Sequence, residues 1–116
     1  MPKLDAAYVF YTNDIPTVVD YYVNKIGLKL DYVAGEKYAS FYFDNGVKLG
    51  IKKAVEVREV PGSQTLFIAV DDAKAEYEQA KQKELHIQKD LIEEDWAIVF
   101  SVLDPDGNKI EFVQNK

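Results

Sequence analysis

Asp104-Pro105-Asp106-Gly107-Asn108-Lys109-Ile110-Glu111-Phe112 is the stretch that decides the fold. Proline fixes φ and glycine supplies a positive φ, so residues 104–108 read as a tight turn. The alternation that follows, apolar Ile110 and Phe112 against polar Lys109 and Glu111, reads as a strand with one buried face. The same pattern occurs earlier. Asn45-Gly46-Val47-Lys48-Leu49-Gly50-Ile51 aligns with it when Gly46 is laid on Gly107, 61 positions on. A turn-plus-strand unit used twice in one short chain points to an internal repeat.

Working outward, both halves carry the same order of elements. Ala6–Thr12 is a strand candidate, and Asn13 and Asp14 offer caps for a helix with Pro16 in its first turn. Ile15, Val18, Val19, Tyr22 and Ile26 form its apolar stripe, and Gly27 stops it. Strands are expected over Leu28–Ala34, Tyr38–Phe43 and Val47–Lys53. Ala54–Gln64, with Pro61-Gly62-Ser63, reads as a linker. The second half starts with a strand at Thr65–Val70. A helix capped by Asp71-Asp72 follows, with Ala73, Tyr77 and Ala80 inward. Leu85–Leu91, Asp95–Leu103 and Lys109–Gln114 are the remaining strands. Asp14 and Asp72 lie 58 positions apart, so the second half is longer by three residues in its hairpins.

The chain has 116 residues, which suits one domain made of two modules, about 1–56 and about 64–116. Hydrophobic residues make up 47% and aromatics 13%, which excludes a disordered chain. The net charge of −6 disfavours phosphate backbones and anionic membranes as partners, and suits a cationic or neutral small molecule. The absence of cysteine excludes disulfides, zinc–thiolate sites, iron–sulfur clusters and thiol nucleophiles. Met1–Asp5 lack a signal peptide's layout, so the cytoplasm is the expected compartment. No phosphate loop, hydrolase elbow or kinase signature is present, and Ser40, Ser63 and Ser101 have no histidine in pattern with them.

The two βαβββ modules, the Tyr21-Tyr22-x-x-x-x-Gly27-Leu28 helix end and the Asp104–Phe112 stretch together resemble the vicinal oxygen chelate superfamily. This is the group of glyoxalase I, extradiol dioxygenases, fosfomycin-modifying enzymes and bleomycin-resistance proteins. The resemblance implies an α+β fold in which tandem βαβββ modules curl a mixed sheet into half-cups around a ligand pocket, commonly in a homodimer. It also implies four metal-ligand positions, one on the first and last strand of each module. Counting back seven residues from the capping aspartates gives Ala7 and Thr65, and counting forward four from the turn glycines gives Gly50 and Glu111. Ala7 and Gly50 have no donor atom, Thr65 is a poor ligand, and Glu111 alone cannot fix a metal. The lone histidine, His86, falls in another strand. No metal and no cofactor is therefore expected.

In the family the last-strand carboxylate faces the cup. Strand parity then places Lys109, Glu111 and Val113 there, with Ala7, Val9 and Tyr11, with Thr65, Phe67 and Ala69, and with Lys48, Gly50 and Lys52. Val99 and Ser101 are expected beside Glu111, with Trp96, Ile98 and Phe100 on the other face. Gly50 is expected to leave room for a bulky ligand. Tyr38, Phe41, Tyr42, Phe43 and Trp96 offer rings for the rim, or else core. Glu93-Glu94-Asp95 is a solvated loop or a negative rim.

The candidate ligand-binding set is thus Tyr11, Lys48, Phe67, Trp96, Val99, Ser101 and Glu111. The plain reading of Glu111 is a strand carboxylate that faces solvent or pairs with Lys48 or Lys109. Its functional reading is a pocket carboxylate or base. The resemblance favours a metal-free binding protein that sequesters a small organic ligand, aromatic or cationic, such as an antibiotic, without chemistry. The alternatives are a metal-independent lyase or isomerase with Glu111 as base, helped by Lys48, Lys52 or Tyr11, and a scaffold whose pocket has closed.

Overall fold

The computed structural model describes residues 7–116 and divides them into two compact units, the first running to Gly62 and the second from Ser63 to Lys116. Ala6, where the first strand was expected to begin, lies outside the described residues together with Met1–Asp5. The first unit contains β1 (Ala7–Thr12), α1 (Ile15–Asp20), β2 (Lys29–Ala34), β3 (Tyr38–Tyr42) and β4 (Lys48–Lys53). The second contains β5 (Thr65–Ala69), α2 (Ala73–Gln82), β6 (His86–Glu93), β7 (Ala97–Leu103) and β8 (Lys109–Asn115). Each unit forms its own four-stranded mixed sheet, ordered β1-β4-β3-β2 and β5-β8-β7-β6. This is an α+β architecture of two βαβββ modules. Among the described residues the only parallel pairs are β1 with β4 and β5 with β8, because the first strand of each unit joins its last across the helix.

The repeat extends to individual bonds. Gly46 and Gly107 both adopt a positive φ, near 85° and 89°, and their amides donate to the carbonyls of Phe43 and Asp104. Asp14 and Asp72 both cap their helices, accepting from the amides of Thr17 and Ala75.

The first helix departs from the expected single α-helix. After Asp20 it widens into a π-helical turn over Tyr21–Ile26, closed by Gly27 at φ 87°. The Gly27 amide reaches back to the Tyr22 carbonyl, as does that of Leu28. Tyr22 is fully buried and meets Phe41 at 5.7 Å between ring centroids.

In each sheet one face is covered by the unit's own helix. In the first, Phe10, Leu49, Ile51, Ala39 and Phe41 are buried with Ile15, Val18 and Tyr22. Phe41 is therefore core, not a rim ring. In the second, Ile110, Phe112 and Phe100 fill the helix side, with Phe100 stacked on Phe112 at 4.7 Å and Tyr77 of α2 edge-on at 5.2 Å.

Candidate functional site

The helix-free face of each sheet carries the candidate polar and aromatic groups. On the second sheet, Phe67 of β5 pairs with Glu111 of β8, Glu111 pairs with Ser101 of β7, and Ser101 pairs with Lys89 of β6. One row of cross-strand neighbours thus holds a phenyl ring, a carboxylate and a hydroxyl. Phe67 is 66% exposed, whereas Glu111 is 8% exposed. The Glu111 carboxylate meets the Lys109 ammonium at 3.2 Å, a partner from its own strand and the same face. Ser101 is fully buried, and its hydroxyl donates to Gln88 Oε1 at 2.5 Å. Val99, one step along, is buried in a small cluster with Ala97 and Val113.

Trp96 stands apart from this row. It precedes β7 instead of belonging to it, and is 60% exposed. The acidic run beside it divides. Glu93 ends β6 and binds the Lys116 ammonium at 2.7 Å, which holds its carboxyl below its ordinary pKa. Glu94 and Asp95 form the turn. His86 opens β6 and is exposed.

On the first sheet, Tyr11 and Lys48 share the helix-free face with Val9, Gly50 and Lys52. Tyr11 pairs with Lys52 and Val9 with Gly50. The two lysines are engaged locally. Lys48 binds Asp31 at 3.2 Å, and Asp31 also accepts from the Ser40 hydroxyl at 3.1 Å. Lys52 binds both oxygens of Glu59 at 2.8 Å. Glu59 is buried and also accepts from the amides of Val55 and Glu56. The Lys52 ammonium and then those amides hold its carboxyl down, from an ordinary 4.5 to about 2. What reads in sequence as a plain linker is therefore clamped to β4.

The space beside Gly50 is not open. A methyl group added there would overlap the Tyr38 hydroxyl and ring carbon Cζ. The expected room for a bulky ligand is filled by Tyr38, which in turn meets Tyr32 at 6.0 Å between centroids. Sequence reasoning offered Tyr38 for the rim or the core, weighed Ser40 only as a nucleophile, and passed over Tyr32, Asp31 and Gln88. The alternation Tyr38-Ser40-Tyr42 against Gly50 was the available signal, since glycine within a strand marks a close approach.

The donor set does not suit a metal. Ala7 and Gly50 offer no side-chain donor, and Thr65 is exposed at the sheet edge opposite Lys109. Glu111 is already bound to Lys109. A two-residue shift does not help, because the register partners of Gly50 and Glu111 are Val9 and Phe67. Among the described residues no three His, Asp or Glu side chains gather where they could hold an ion.

The family model for the glyoxalase/bleomycin resistance protein/dioxygenase superfamily matches residues 6–112. The chain belongs to this superfamily. Solved structures agree with its fold over 97–100% of its length. The bleomycin-binding protein of bleomycin-producing Streptomyces verticillus, solved with copper(II)-bleomycin, superposes with a TM-score of 0.75 at 22% identity, covering 100% of this chain and 99% of that one. TnmS3, an antibiotic binding protein from a Streptomyces species, gives 0.80 at 19% identity with both chains fully covered, 100% each. Lactoylglutathione lyase from Agrobacterium tumefaciens gives 0.77 at 14%, covering 97% of this chain and 95% of that one. At these identities the likeness is one of fold, and the fold is common to binders and an enzyme. No curated protein matches the sequence.

Proposed function

We propose that this superfamily member is a small-molecule binding protein that captures an aromatic or cationic organic compound, of the antibiotic type, without breaking a bond. The observation that carries the reading is the Phe67–Glu111–Ser101 row, an exposed ring beside a nearly buried carboxylate on the face that the helix leaves uncovered. A ring supplies contact area, and the nearly buried Glu111 carboxylate supplies an anchor for which a ligand cation or hydrogen-bond donor competes with Lys109. The net charge of −6 draws cations toward the protein. The solved structures named for bleomycin and antibiotic binding show that the fold serves this role elsewhere.

The rival with Glu111 as base finds two of its three helpers engaged, which leaves Tyr11. Lys48 and Lys52 are held by Asp31 and Glu59, and the one ammonium at Glu111 is that of Lys109. The absence of cysteine supports a reducing, cytoplasmic setting. Among the described residues no helix is long and apolar enough to cross a membrane. We further propose a homodimer. The edge strand β2 exposes all six of its residues, including Leu30, Tyr32 and Val33, which supports association through that edge.

Isothermal titration calorimetry with bleomycin and with the planar cation 9-aminoacridine tests the function. At least one is expected to bind saturably, and Glu111→Gln to weaken it about tenfold, the loss of one charge-assisted contact. No heat from either compound would favour a closed scaffold.

A further inference from the structure

Gly50 stands at one of the four positions where the superfamily's enzymes are expected to carry a metal ligand, yet the space there is occupied. The Tyr38 hydroxyl lies where a side chain at position 50 would start. Gly50 sits at the centre of the helix-free face, paired with Val9 on one side and Ser40 on the other. Its φ lies outside the range that demands glycine, so the backbone alone does not explain the residue. Contact with Tyr38 does.

The seated ring is not isolated. Tyr38 is half-buried and inclined 33° to Tyr32, which is 51% exposed. Ser40 on the same strand, with Asp31 and Lys48 on the two neighbouring strands, forms a bonded polar cluster, and Lys48 lies close enough to oppose the upward shift that burial gives the Tyr38 hydroxyl. We propose that Gly50 is the seat of Tyr38, and that the seated Tyr38 with Tyr32 is a stacking platform for a planar aromatic ring of the ligand. The Asp31–Lys48 pair beside it offers both a carboxylate and an ammonium to polar substituents at the ring's edge. The proposal rests on the small-molecule reading above and places one subsite within it. Gly50 acts as a positioning residue, because a larger side chain would unseat the ring without touching the ligand. A fixed ring binds more tightly than a mobile one because less freedom is lost on association.

The test is a double-mutant cycle on the full chain, with 9-aminoacridine fluorescence as the binding readout. Tyr38→Leu and Gly50→Ala are each expected to weaken binding by about three- to tenfold, the range for one aromatic contact. Tyr38→Phe retains the ring and is expected to keep it. Gly50→Ala in the Tyr38→Leu background is expected to add nothing, since its effect runs through the ring. In the free protein, the Gly50 Hα NMR signal is expected to show a ring-current shift that Tyr38→Leu abolishes, a readout that needs no ligand and holds even where Gly50→Ala fails to fold. Additive losses, wild-type binding by Tyr38→Leu, or an unshifted Gly50 signal would each overturn the platform. If 9-aminoacridine does not bind while bleomycin does, the platform fails and the capture reading stands. If neither binds, both fall.

Discussion

Glu59 shows how much a single residue decides in this chain. Its carboxylate collects the Lys52 ammonium and two backbone amides, and so fixes the segment after β4. Because its pKa is lowered in the folded state, the unfolded chain takes up the proton first as pH falls. The contribution of Glu59 is therefore complete above about pH 4.5 and is lost as pH falls toward about 2. Glu59→Gln is expected to flatten the acid limb of thermal stability between those values, read by melting temperature against pH. Asn108 has a comparable bracing role. Its amide nitrogen donates to Asp104 at 2.9 Å and its oxygen accepts from the Gln64 amide at 3.1 Å, tying the turn before β8 to the entry of β5. Asn108→Ala removes both side-chain bonds and is expected to cost about 1–3 kcal/mol in denaturant unfolding. The Asp-Pro-Asp-Gly-Asn turn was legible as a turn. Its reach to Gln64 was not, because a bond spanning 44 positions leaves no local pattern. Lys52 with Glu59, seven positions apart across an irregular segment, and Tyr38 over Gly50, on neighbouring strands, were also not legible, because side-chain approach is set by the fold.

At the level of elements, alternation and turn chemistry located the eight strands of the described residues, and their described ends differ from expectation by at most two residues. Those ends depend on which amides find ladder partners, as at Trp96, whose carbonyl accepts from Lys116 outside the β7–β8 ladder. The π-helical turn at Tyr21–Ile26 had no sequence signal, since the apolar stripe of Tyr22 and Ile26 fits either helix period. Gly27 was legible as the stop. It sits at φ 87° with nothing within 4 Å of an added Cβ, so Gly27→Ala meets strain without collision. That substitution is expected to destabilise the protein by roughly 1–2 kcal/mol, the cost of a left-handed L-residue, measured by urea unfolding. Parity placed Phe67, Glu111 and Ser101 on one face, and the register sets them side by side. Parity could not tell that Ser101 and Val99 are buried, because exposure depends on neighbours outside the strand.

For the molecule as a whole, two copies of one βαβββ plan yield two sheets of equal order but unequal chemistry. The first unit's open face is tyrosine-rich with its lysines paired. The second carries the carboxylate row. Among the described residues, neither gathers three His, Asp or Glu side chains where they could hold an ion; a missing donor atom is visible in a residue's name, whereas a filled space is not. The proposed homodimer predicts a sedimentation mass of twice the 13.2 kDa chain, and a β2 variant such as Val33→Lys is expected to return it to the single-chain value. The central claim is capture without chemistry. Equilibrium dialysis of the full chain against bleomycin and 9-aminoacridine, followed by mass spectrometry of the recovered compound, tests it most directly. The account predicts saturable retention of at least one compound at a fixed ratio to protein, with the compound recovered unchanged and retention reduced by Glu111→Gln. Recovery of a chemically altered compound, or no retention of either, would contradict it.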